Sequence, residues 1–220
     1  KKLTNAISFG QFGRDIANGA STQTVQISGP SNVRKGGEIW GGEIAYQTFF
    51  DFLPGLLSGL GMQANYTYVH QSGINNSNLF TASSSGDVGA FGAGQQSLGG
   101  TGYVLDSHKL AGISKHTFNL VGLYEKGPVG LRVAYNWRSK YLVTAIDCCV
   151  GFPIWQDATG YLDASVRFRA TNNVEFIVEG TNLLGTDTVL MQQVDSSGLL
   201  KPNAWFKNDR RFQIGARLTF

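Results

Sequence analysis

The feature that most constrains this chain is a sustained alternation of apolar and polar residues. Successive side chains of a strand point to opposite faces, so such a run marks a strand with a different environment on each side. Four segments show it cleanly. In 212–220, Phe212, Ile214, Ala216, Leu218 and Phe220 share one face, while Arg211, Gln213, Gly215, Arg217 and Thr219 take the other. In 129–138, Val129, Leu131, Val133, Tyr135 and Trp137 oppose Gly130, Arg132, Ala134, Asn136 and Arg138. In 161–169, Leu162, Ala164, Val166 and Phe168 oppose Tyr161, Asp163, Ser165, Arg167 and Arg169. In 60–69, Leu60, Met62, Ala64, Tyr66 and Tyr68 oppose Gly61, Gln63, Asn65, Thr67 and Val69.

Weaker copies lie at 40–50, 117–125 and 174–179, and a poorly defined first strand lies near 2–9. The sum is about eight strands, several long enough to cross a bilayer when tilted, where soluble strands are mostly nearer five or six residues. Composition agrees. Glycine supplies 29 of 220 residues, about 13% against a usual 7% or so, which disfavours helices and suits strands and long loops. A net charge of +3 is too small for an electrostatic nucleic-acid binder, so none is expected as a partner. No apolar run reaches the roughly 18 residues of a membrane-spanning helix, and no signal-peptide pattern opens the chain.

The connections form a second, independent pattern. Short links fall at 51–58, 126–128 and 170–172, and long ones at 10–35, 72–112, 144–157 and 185–208. In an antiparallel meander every second connection lies at the same end, so all short turns share one end and all long loops the other. Outer-membrane barrels have this asymmetry, with the long loops outside. A soluble sandwich also alternates, but it does not need ring hydroxyls at strand ends. Here Tyr46, Tyr66, Tyr68, Tyr124, Tyr135 and Trp137 sit on the apolar face near segment ends, as an interfacial girdle would. The expected fold is all-β: an antiparallel transmembrane β-barrel.

Three groups of residues resemble one family. They are Gly41-Gly42-Glu43-Ile44-Ala45 with the turn Leu53-Pro54-Gly55-Leu56-Leu57-Ser58-Gly59-Leu60-Gly61 and Ala64-Asn65-Tyr66-Thr67-Tyr68; His116-Thr117-Phe118-Asn119-Leu120 with Glu179-Gly180-Thr181-Asn182-Leu183-Leu184; and the ending Asp209 to Phe220. In order and spacing they look like the C-terminal barrel region of TonB-dependent outer-membrane receptors. The resemblance implies a twenty-two-stranded barrel around an N-terminal plug, with loops and plug binding substrate and the TonB complex supplying energy. Residues 1–220 have room for about eight such strands, and no segment resembles a plug or a TonB box. The chain also begins Lys1-Lys2-Leu3 without Met. The expectation is therefore the C-terminal part of a receptor. Its partners would be the outer-membrane bilayer, upstream strands and plug, TonB through a segment outside this chain, and the barrel-assembly machinery.

Charge is absent from the apolar face because Arg or Lys at the bilayer midplane costs roughly 2–4 kcal/mol. The opposite face carries Glu43, Arg132, Arg138, Asp163, Arg167, Arg169, Glu175, Glu179, Arg211 and Arg217. These are candidates for a lumen wall, read first as a cross-strand network and second as a guide for substrate. Phe220 completes the lipid stripe, and by resemblance it also looks like the assembly signal.

In the long loops Tyr103, His108, Phe152, Trp155 and Trp205 are the candidate substrate contacts, with Phe80, Phe91 and Phe206 nearby. Rings there can stack on a sugar or a planar chelate, or pack the loops over the barrel mouth. They favour a saccharide or another organic nutrient over a highly charged chelate, a ferric siderophore being the other class. Adjacent Cys148 and Cys149 leave open a strained vicinal disulfide, partners outside this chain, or free thiols.

No catalytic residue, cofactor or metal site is expected. Gly89 to Gly94 lacks the order and lysine of a phosphate loop, and Asp106-Ser107-His108 is a sequence neighbourhood rather than a triad. Two other functions compete with uptake. One is a self-contained eight-stranded anchor or adhesin, and the other is an outer-membrane hydrolase.

Overall fold

The computed structural model describes residues 2–3, 7–19, 21–32, 37–73, 109–144, 153–195 and 197–220. Tyr103, Ser107, His108, Cys148, Cys149 and Phe152 lie outside them, and so do Phe80 and Phe91.

The described residues form fourteen strands in three antiparallel sheets. The largest contains β1 (Lys2–Leu3), β4 (Gly37–Phe49), β5 (Leu60–Ser72), β6 (His116–Lys126), β7 (Val129–Arg138), β10 (Thr159–Arg169), β11 (Val174–Thr181) and β14 (Arg211–Leu218). Its order is β1-β4-β5-β6-β7-β10-β11-β14, a meander in which each long strand pairs with its neighbours along the sheet. The sheet is open. Among the described residues β1 pairs with β4 and β14 with β11, so the two ends do not meet.

Register shows why the alternation is so clean. Val166 lies beside Leu131, which lies beside Tyr124, and the row continues to Leu60 on one side and to Val178 and Ile214 on the other. A further apolar row runs Leu162, Tyr135, Leu120, Ala64, Tyr46. Each strand thus sends its apolar residues to one continuous face. That face is bare: Ile44, Leu120, Leu131, Val166, Phe176 and Ile214 are all exposed, with Ile214 at 84%. So broad an apolar surface needs a non-aqueous partner.

The short connections are tight. Phe49 leads through a 3-10 turn at Gly55–Gly59 into β5, and Gly127-Pro128 joins β6 to β7 with Gly127 at φ 59°, a left-handed position that glycine takes without strain. Three of the long connections depart from the sequence expectation in their described residues. The described residues of segment 10–35 form most of a hairpin, β2 (Ile7–Asn18) with β3 (Ser21–Asn32), in unbroken register. The described residues of segments 144–157 and 185–208 contain strands as well. With β8 (Tyr141–Thr144), they hold β9 (Ile154–Gln156), β12 (Thr188–Gln193) and β13 (Leu200–Phe206) in a four-stranded sheet of order β13-β12-β9-β8.

Candidate functional site

The long-connection end of the large sheet begins with an aromatic rim. Trp40 stacks on His70 with centroids 5.1 Å apart, and Tyr66 shares a 2.7 Å hydrogen bond with His116 Nδ1. Tyr68 bridges the two pairs, tilted against Trp40 and His116. These residues occupy the last apolar rows before the connections, the position that interfacial aromatic rings take in membrane barrels.

A strap at 109–115 crosses the tops of the strands. Leu110 N–H donates to Gln71 Oε1 at 2.8 Å, and Gly112 N–H to the Leu142 carbonyl at 2.8 Å. Arg138 fastens it from below, donating to Ser114 Oγ (2.9 Å) and the Gly112 carbonyl (2.9 Å) while its guanidinium lies 3.8 Å from the Tyr141 ring centroid. The Tyr141 hydroxyl in turn donates to Gln156 Oε1 at 2.5 Å. Arg138 therefore ties the strap to the four-stranded sheet.

That sheet has a core of its own. Leu142 is almost wholly buried and Trp155 is 8% exposed, paired across β8 and β9. Trp155 is covered, and the Lys109 and Lys140 ammoniums stand 5.4 and 5.6 Å from its ring centroid. Trp205 on β13 is 60% exposed, and Phe206 beside it is also open. The two tryptophans are not neighbours in the register: Trp205 lies opposite Val189 and Trp155 opposite Met191.

A second junction centres on Asn182, at φ 52° the one described non-glycine residue with positive φ. Asparagine tolerates this conformation because its amide bonds locally. Here Thr186 N–H donates to Asn182 Oδ1 at 2.9 Å, and Asn182 Nδ2 donates to the Asn208 carbonyl at 2.7 Å. Asp163 accepts the Asn182 backbone N–H at 2.9 Å. Asn208 then reaches Tyr161 Oη (3.2 Å) and Thr188 Oγ1 (3.1 Å), linking the large sheet to β12. The Thr181-Asn182-Leu183-Leu184 motif lies at this turn, whose partners are too distant in sequence to be read from it. Beyond β12, a turn is closed by Asp195, whose carboxylate is held below its usual pKa range by the Ser197 hydroxyl and by backbone N–H groups, that of Leu199 first among them.

The charged face divides along the strand axis. Near the connections, Glu43 accepts from Asn65 Nδ2, while Asp163 and Arg138 take the roles above. Mid-sheet, Ser165 lies between Arg132 and Glu179. Arg211, at the upper end of β14, lies opposite Thr181. At the short-turn end Arg167 crosses the side-chain-free Gly130 to reach Glu125 at 3.1 Å. Both partners are more than half exposed, so the pair contributes at most about 1 kcal/mol. Glu175 sits between Arg169 and Arg217 in register, and shallow clefts of about 180 and 230 Å³ open beside them. Among the described residues no group of three or more His, Cys, Asp or Glu could hold a metal ion.

The chain matches the family of TonB dependent receptor-like β-barrels over residues 1–183. It belongs to that family, whose barrels reside in the outer membrane. Among solved structures, the siderophore receptor PiuA from Acinetobacter baumannii is similar at 13% sequence identity with a TM-score of 0.49. The match covers 84% of this chain and 22% of that one, so this chain spans about a fifth of that receptor. Comparison with curated proteins gives no match.

Proposed function

We propose that residues 1–220 are the C-terminal part of the barrel of an outer-membrane active-transport receptor, which binds a scarce nutrient at its long-connection end and imports it with TonB energy. The observation that carries this reading is the open eight-stranded sheet, apolar on one face and charged on the other, inside a family of receptor barrels. The plug, the TonB box and the remaining strands then belong to other parts of the receptor. A self-contained eight-stranded barrel would pair its first and last strands, and among the described residues β14 pairs with β11 alone, which speaks against it.

In this reading the four-stranded sheet is the outer, ligand-facing end, with Trp205 and Phe206 as exposed ring contacts. Trp155 supports the surface from beneath. The charged face lines the lumen and meets the plug, and Phe220 marks the last strand for the assembly machinery. Deleting Phe220 then lowers the amount of assembled receptor in membranes, and unchanged assembly removes the signalling role.

The test of function is uptake. A strain lacking the receptor is grown on limiting carbon sources and on limiting iron, with and without a functional TonB complex. Receptor-dependent growth that vanishes with TonB supports the proposal, and the limiting nutrient that reveals it names the substrate class. Growth that depends on the receptor but not on TonB overturns active transport.

A further inference from the structure

Two of the three short links, Lys126-Gly127-Pro128 and Ala170-Thr171-Asn172, carry no large apolar side chain. The third, Asp51-Phe52-Leu53-Pro54-Gly55-Leu56-Leu57-Ser58, is rich in them, and three stand open: Phe52 is 80% exposed, Leu56 73% and Leu57 53%. A turn in water gains nothing from large apolar side chains left bare, whereas moving them into an apolar medium is favourable in proportion to their area.

The turn is held in place by its own bonds. Leu53 N–H donates to the Phe50 carbonyl at 2.9 Å, Leu57 N–H to the Pro54 carbonyl at 3.3 Å, and Ser58 Oγ to the Gly55 carbonyl at 3.0 Å. Gly59 packs so closely on the end of β6 that an added Cβ would stand 2.7 Å from the Glu125 carbonyl oxygen. Two further contacts show which side of the sheet the turn occupies. Lys126 Nζ donates to the Gly55 carbonyl at 3.0 Å and to Ser58 Oγ, and Lys126 shares its strand face with Leu120 and Tyr124 of the apolar rows. Phe52 meets Phe50 edge to face with centroids 6.0 Å apart, and Phe50 N–H extends the β4–β5 ladder to the carbonyl of Leu60, which lies beside Tyr124 on that same face. The turn is therefore continuous with the apolar face rather than with the charged one.

We infer that Phe52, Leu56 and Leu57 form an apolar foot that inserts into the phospholipid leaflet at the short-turn end, at the boundary between headgroups and acyl chains. This rests on the eight-stranded sheet being a barrel wall. Continuity with the apolar face selects lipid as the occupant, because a plug inside the barrel would approach from the charged face. Apolar side chains on such a surface element reach about 5–10 Å into the boundary. Lys126 closes the apolar rows and carries its ammonium onto the turn, which keeps its charge at headgroup level beside the foot. The foot fixes the depth of β4 and β5 in the bilayer, a task that the other two short links have no apolar side chains to perform.

The test places the full-length receptor in nanodiscs of phosphatidylethanolamine and phosphatidylglycerol. A nitroxide is attached to a single cysteine at Phe52, Leu56, Asn172 or Leu120, with all native cysteines replaced. Collision with oxygen, which concentrates in lipid, is compared with collision with a water-soluble nickel chelate. The oxygen-to-nickel ratio at 52 and 56 is expected to exceed that at 172 by about threefold or more, as for side chains seated at the acyl boundary, and to approach that at 120. Ratios at 52 and 56 equal to that at 172, with 120 in lipid, overturn the foot and leave the wall standing. Free nickel access at 120 overturns the wall and the foot with it. Shielding of 52 and 56 from both reagents marks a covering protein or a second copy of the receptor, and overturns insertion into lipid.

Discussion

The two large sheets of this molecule solve the same hydrogen-bonding problem in opposite surroundings. The eight-stranded sheet leaves its apolar residues exposed, from Ile44 to Ile214, and keeps a regular register across every long pair. The four-stranded sheet buries Leu142, Trp155, Gln192 and Gln193, and its register shifts at Leu142/Thr144 and at Leu190/Met191. One is stabilised by what lies outside it, the other by its own packing. A bilayer imposes strict alternation because each face meets one solvent. A small sheet in water has no such requirement, so bulges and buried amides are tolerated when the amides find carbonyls, as Gln193 Nε2 does at Asp195 (2.8 Å).

The contrast can be broken at three places. The largest effect is expected at Trp155→Ala, which leaves a cavity in the outer sheet and costs about 3–5 kcal/mol there. Hydrogen exchange should speed up in β8, β9 and β12 while β4 to β7 keep their protection; a uniform change across both sheets would show that the two are one cooperative unit. Next is Leu120→Arg, which sets a charge in a central apolar row and costs about 2–4 kcal/mol of stability in bilayers. Its neighbour Asn119→Arg faces the other way and should cost less than about 1 kcal/mol, measured as denaturant midpoint in lipid. The smallest of the three is Asn182→Ala, at about 1–3 kcal/mol, because it strands Thr186 N–H and the Asn208 carbonyl. Comparing it with Asn182→Gly, which accepts the positive φ but lacks the amide, separates backbone strain from lost bonds in a melting series.

How far the sequence reveals these features follows the same division. Leu131, Val133, Tyr135 and Trp137 declare their face because the environment switches at every residue, and the structure keeps them together. In the β2–β3 hairpin, stretches such as Ser28-Gly29-Pro30-Ser31 have no apolar period, so pairing depends on backbone bonds that composition does not encode. Ile154–Gln156 is too short for any period to register. Asp163 is legible as a charged-face residue, yet its bond to Asn182 depends on a turn 19 positions away. The rings at 155 and 205 look alike in sequence, but only partners brought by the fold bury one and leave the other open.

As a barrel wall, the eight-stranded sheet has lipid on one face and water on the other. Single cysteines at Asn119, Leu120, Leu131 and Arg132 of the full-length receptor, placed in a background with Cys148 and Cys149 replaced, test it in intact outer membranes with a water-soluble maleimide. Labelling is expected at 119 and 132 and protection at 120 and 131, with all four reacting once the membrane is dissolved and the protein unfolded. Equal labelling of both faces in the membrane would contradict it.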